Sequence, residues 1–107
     1  MKQSVIAVNR EEMIKTFKSL KVVMGKIPKK LQNGIVIELR FSTSGLVFVL
    51  PSVELTVPCT CTVKGAAVVR FYYFEQIIKD QVKPEIEIVV NDNSMQIGGL
   101  TFQVTTK

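Results

Sequence analysis

The sequence predicts an α+β fold, a doubled βαβββ repeat with two helices on one face of mainly antiparallel sheets. Three observations predict it. The apolar period switches from 3.6 residues to 2 twice along the chain, turn residues punctuate each period-2 stretch, and the resulting order of elements occurs twice. The 107 residues suit one ordinary domain, 1–107, with pseudo-repeat halves at about 1–64 and 65–107.

Ser4–Val8 is short, β-branched and apolar, as a strand requires. Asn9 follows as an N-cap, with Glu11 and Glu12 in the first turn where the helix dipole favours carboxylates. Met13, Ile14, Phe17, Leu20 and Met24 then mark the apolar stripe of an amphipathic helix that Gly25 and Pro28 end. Gly34–Ser42 and Leu46–Leu50 read as antiparallel strands about a Thr43-Ser44-Gly45 turn. Past the Pro51-Ser52 turn, Val53–Val63 reads as one long strand, and Pro58 within it calls for an edge or a bulge.

Lys64-Gly65 turns the chain into the second unit. Ala66–Arg70 is a strand and Phe71–Gln81 a helix, which Pro84 stops, with Phe71, Phe74, Ile77 and Ile78 as its buried side. Tyr72, Gln76, Lys79 and Lys83 fall on its other side. Glu85–Val90, Ser94–Ile97 and Leu100–Thr105 complete the unit as strands, joined at Asn91-Asp92-Asn93 and Gly98-Gly99.

The net charge of +5 is unevenly placed. Residues 1–30 hold Lys2, Arg10, Lys15, Lys18, Lys21, Lys26, Lys29 and Lys30 against Glu11 and Glu12, a balance of +6, while the remainder stands at −1. At 100° per residue, Lys15, Lys18 and Lys26 lie opposite the apolar stripe of the first helix, and Lys21 lies at its margin. A one-sided basic face is the footprint of a polyanion binder, although a solvated helix can show it too.

Catalytic chemistry is poorly served. The chain has no histidine, which removes the commonest general base and the Ser-His and Cys-His nucleophile systems. Gly98-Gly99 belongs to no phosphate-binding loop. Glu85 and Glu87, two apart on one strand face, read as a solvated surface. Cys59 and Cys61 are expected to be reduced, lying with Val57 and Val63 along one buried stripe. Extended geometry sets their Cα atoms roughly 6.5 Å apart, near the upper limit for a disulfide, and two thiols fall short of a structural zinc site. The expectation is therefore a non-enzymatic module with no cofactor, no metal and no small-molecule substrate. No apolar run reaches the roughly 20 residues of a membrane span, and the N-terminus lacks a signal peptide's long apolar region, which predicts a cytoplasmic protein with no membrane partner. In the run Phe71-Tyr72-Tyr73-Phe74, Tyr72 is the aromatic placed for surface stacking.

AAVVRFYYFEQIIKD (66–80), PEIEIVVNDNSMQIGGLTFQV (84–104) and NGIVIELRFSTSGLVFVLP (33–51) together resemble one domain of the DNA sliding clamp family, which includes the bacterial polymerase processivity clamp and proliferating cell nuclear antigen. The likeness lies in element order and apolar spacing over nearly the whole chain. It implies two helices side by side, lining a channel around duplex DNA, whose exposed cations meet phosphates without reading sequence. Carried over, it assigns Lys15, Lys18 and Lys26 on the first helix, and Lys79 and Lys83 on the second, to the DNA-facing surface, beside Lys21 and Tyr72 as further candidates. The family's rings use six such domains, so self-association is a second implied partnership. The alternative is a protein-protein interaction adaptor of the same fold whose basic helices dock an acidic partner.

Overall fold

Asn9 is where strand becomes helix. It closes β1 (Ser4–Asn9) in extended conformation, and its side chain accepts a hydrogen bond from the Glu12 amide at 3.0 Å, capping α1 (Arg10–Met24). The computed structural model that shows this describes residues 3–107, so Lys2 of the basic N-terminal stretch lies outside it. Pro28, expected only to stop the first helix, also starts a short one, α2 (Lys29–Gln32), since a fixed φ near −60° suits a helix beginning as well as an end. The chain continues through β2 (Val36–Ser42), β3 (Gly45–Val49), β4 (Glu54–Val57) and β5 (Cys59–Cys61). The second unit runs β6 (Gly65–Arg70), α3 (Phe71–Asp80), β7 (Glu85–Asn91), β8 (Ser94–Ile97), β9 (Leu100–Gln103) and β10 (Thr105–Thr106).

Among the described residues, ten strands form two five-stranded antiparallel sheets, ordered β5-β1-β7-β8-β9 and β10-β6-β2-β3-β4. Replacing each strand of one unit by its counterpart in the other converts the first order into the second. The doubled α+β, clamp-like plan is therefore present, and each unit gives three strands to one sheet and two to the other.

Two expected strands are split, each at a corner. Val53–Val63 was expected as one element, but β4 pairs with β3 in one sheet and β5 with β1 in the other, with Pro58 between them. Proline has no N–H to give a ladder, so it fits where the chain leaves one ladder for the next. Leu100–Thr105 divides likewise: β9 pairs with β8, Val104 intervenes, and β10 pairs with β6. The corner also thins the cysteine stripe. Val57 is buried, but Cys59, Cys61 and Val63 on the edge strand and its exit are half-buried. Cys59 and Cys61 are free thiols, and burial, with a smaller contribution from Cys61, pushes the Cys59 thiol above its ordinary pKa.

One core joins both sheets and both long helices. Phe17 of α1 stands edge-on to Phe48, Phe71 and Phe74, with ring centroids 5.8–5.9 Å apart. Met13, Phe17, Leu20, Phe71, Phe74, Ile77 and Ile78 are all buried, so α1 and α3 lie side by side with the apolar stripes read from sequence facing inward. Gly98 and Gly99 both take positive φ, 56° and 88°, which is the turn that a two-residue β8–β9 hairpin demands.

Candidate nucleic-acid interface

The helix pair is antiparallel, and polar contacts at its two ends fix it so. At one end Arg10, the first residue of α1, donates from Nη2 to the Lys79 carbonyl near the C-terminus of α3 at 2.8 Å, and its backbone amide donates to the Pro84 carbonyl, also at 2.8 Å. A cation against the last carbonyls of a helix is favourably placed in the helix dipole. At the other end Lys21 of α1 forms an ion pair with Glu75 of α3. Lys79 meets the same Glu75 oxygen at 3.1 Å from one turn further along α3.

Glu75 is buried, and a buried carboxylate is tolerated only when it is paired. Its Oε2 lies at ion-pair distance from both ammoniums without a well-aligned hydrogen bond, so the pairing is chiefly electrostatic. Lys21 and Lys79 keep about two-fifths of their side chains in solvent, at 39% and 41%. They are thus brought together, as expected of a shared face, but with one negative charge between them.

The remaining candidates are placed differently. Lys15 is 73% exposed and lies 3.9 Å from Glu12, one turn before it on α1, a loose surface pair. Lys18 is exposed on the next turn, and Lys26 is exposed just beyond Gly25, past the end of the helix. Tyr72 is half-buried, with its ring edge-on to Phe71 at 5.1 Å, so only part of it is open to stacking. Lys83 lies beyond α3, which ends at Asp80. There it borders an open cleft of about 860 Å³ with Gln81, Val82, Glu85, Glu87 and Gln96. Those strand residues alternate with the buried Ile86, Ile88 and Val90, so the cleft is on the side of the sheet away from the helices.

Glu75 and Arg10 are the residues the sequence reading missed. The Glu75–Lys79 spacing of four was legible as a helix-surface pair, but the approach of Lys21 depends on α1 packing against α3. Arg10 was counted only as charge. Its role comes from the return of the chain at Pro84, roughly 70 residues later. Among the described residues, no group of three or more His, Cys, Asp or Glu side chains is placed to hold a metal ion. No described helix is long and apolar enough to cross a membrane.

No protein-family model matches the chain, and no curated protein matches it. Solved structures do. The chain is similar to the beta subunit from DNA polymerase of Streptococcus pyogenes, with a TM-score of 0.71 and 16% identity over 96% of this chain and 30% of that one. It is similar to the DNA polymerase sliding clamp of Bacillus subtilis, with a TM-score of 0.69 and 17% identity over 99% of this chain and 32% of that one. The beta sliding clamp of C. crescentus gives 0.65 and 13% over 98% and 30%. The fold is that of one clamp domain, and the chain spans about a third of the length of the clamp subunits it matches.

Proposed function

We propose that this chain is a non-enzymatic, clamp-like binding module that holds duplex DNA by its phosphates, through the exposed face of α1. The observation that carries this reading is the position of Lys15 and Lys18 on the outward side of α1, with Lys26 just beyond. The resemblance to the sliding clamp family implies that this helix face meets duplex DNA, and the fold neighbours are named as a DNA polymerase beta subunit and a DNA polymerase sliding clamp. Lys21 and Lys79 flank these cations, partly neutralised by Glu75. Lys83 is set aside from this face, and Tyr72 contributes at most one partly covered ring. Several copies would be needed to surround a duplex, so a single copy should bind weakly.

Counterion release gives the test. Each phosphate contact contributes about −0.9 to the slope of log K against log salt, so three exposed lysines predict a slope of roughly −2.7 on duplex DNA of any sequence. Replacing Lys15, Lys18 and Lys26 together with Glu should abolish binding and leave the unfolding free energy within about 0.5 kcal/mol, because exposed charges contribute little to folding. Fluorescence anisotropy with a labelled duplex from about 50 mM salt upward measures the slope. Absence of binding at the lowest salt, or equal binding by the triple variant, would remove the DNA reading.

A further inference from the structure

The phosphate reading leaves one part of the basic surface unexplained. Val22 follows Lys18 by one helical turn and Lys15 by two, so it shares their outward stripe, and it is 81% exposed. Phosphates have no use for an isopropyl group. Consecutive β-branched residues at exposed helix positions also give up helix propensity relative to lysine or alanine. Val23 and Leu31 are exposed too, so three of the seven large apolar side chains standing open among the described residues fall within ten positions of one another.

The fold gathers these positions at one end of the helix pair. Because α1 and α3 are antiparallel, the last turn of α1 lies beside the first turn of α3. The Phe71 amide donates to the Ile35 carbonyl, which ties the start of α3 to the start of β2. Gln32 donates through Nε2 to the Ile27 carbonyl, folding α2 back on the loop that follows α1. A shallow hollow of about 170 Å³ between Gln32, Asn33, Arg70, Tyr72 and Tyr73 joins α2 to α3. On its rim the Arg70 guanidinium sits 4.8 Å over the Tyr73 ring.

The charge of this end is of one sign. No aspartate or glutamate occurs between Glu12 and Glu38, a stretch that holds six lysines. Glu75 returns to neutralise Lys21, but among the described residues none of Lys26, Lys29 and Lys30 meets a carboxylate. Exposed apolar side chains rimmed by cations are the complement of an acidic segment carrying apolar anchors. We propose that this end, formed by Val22, Val23 and Leu31 with Lys26, Lys29 and Lys30, docks such a segment of another protein. Its glutamates or aspartates face the lysines, and its apolar side chains cover the valines and Leu31. The surface shares Lys26 and the outward stripe of α1 with the proposed phosphate contacts, so DNA and this partner compete for the end of α1.

The experiment uses the whole chain, isotope-labelled for amide chemical-shift mapping, and two synthetic twelve-residue peptides of equal negative charge. One peptide interleaves glutamates with leucine and phenylalanine, and the other has serine at every apolar position. The expected result is at least tenfold tighter binding of the apolar peptide, with shifts concentrated in residues 22–36 and 70–73. The variant Val22→Ser, Val23→Ser, Leu31→Ser should lose that preference while keeping the wild-type circular dichroism spectrum and the wild-type salt slope on duplex DNA. Equal affinity for the two peptides would reduce the end to a plain cationic surface and overturn the proposal. So would shifts centred elsewhere, an unchanged preference in the variant, or tighter binding to phosphatidylserine vesicles than to the apolar peptide.

Discussion

α1 and α3 occupy equivalent places in the two units, yet they are held by different physics. α1 is the longer, with 15 residues, a side-chain cap at Asn9 and three buried residues. α3 has 10 residues, no side-chain cap, and five buried residues that include Glu75. The shorter helix is stabilised by what it buries, as short helices must be. The longer one relies more on its cap and acidic first turn, which leaves its outer side free for lysines and valines. The same position in a repeated plan has become a mostly buried element in one half and one with an exposed basic face in the other.

That contrast can be broken most severely at Phe74, which packs against Phe17 and Phe48. Phe74→Ala should lower the unfolding free energy by about 3–5 kcal/mol in urea denaturation, whereas Lys18→Ala on the other helix should change it by less than about 0.5. Equal effects would mean that α1 and α3 share the load. The next largest effect is expected at Glu75. Glu75→Ala leaves two ammoniums without their partner, but both are partly in water, so the loss should be about 1–2 kcal/mol rather than the 3–5 of a fully buried pair. The more conservative Glu75→Gln should also free Lys21 and Lys79 for phosphates, taking the salt slope on duplex DNA from roughly −2.7 to roughly −4.5. An unchanged slope would place those two lysines outside the DNA contact. The smallest effect is expected at the cap: Asn9→Ala should cost about 1 kcal/mol, read as a fall in melting temperature. Arg70, the equivalent residue before α3, makes no capping bond to lose.

Much of this architecture was legible in the residues. The stripes Met13, Phe17, Leu20 and Phe74, Ile77, Ile78 gave both helices and their inward faces, because burial imposes a 3.6-residue period whatever the partner. The cap at Asn9 and the hairpin at Gly98-Gly99 are local chemistry, and local chemistry is what a sequence carries. The corners at Pro58 and Val104 were harder. Alternation continues across a corner, and only Pro58 gives a local signal, one compatible with an edge or a bulge. Val104 gives none. On the candidate face, helical spacing placed Lys15 and Lys18 on the outside, but the charge state of that face depends on Glu75, whose carboxylate reaches Lys21 only through tertiary packing. Lys83 was assigned to the second helix because its spacing continued the period. Helix α3 stops three residues short of it, where the Gln81 side chain donates to the Ile77 carbonyl.

The interleaving of the two units has a consequence for how the chain is made. Ile6 must wait for Ile88, its neighbour in β7, and until then β1 can pair only with β5. At a synthesis rate of about 5–20 residues per second that delay is on the order of ten seconds. During it the emerging first unit holds an incomplete sheet with an open ladder edge. Folding therefore cannot finish from the N-terminus forward. The nascent segment must be shielded, or else find the missing strands on a neighbouring nascent chain, so crowding on a polysome becomes a hazard peculiar to this topology.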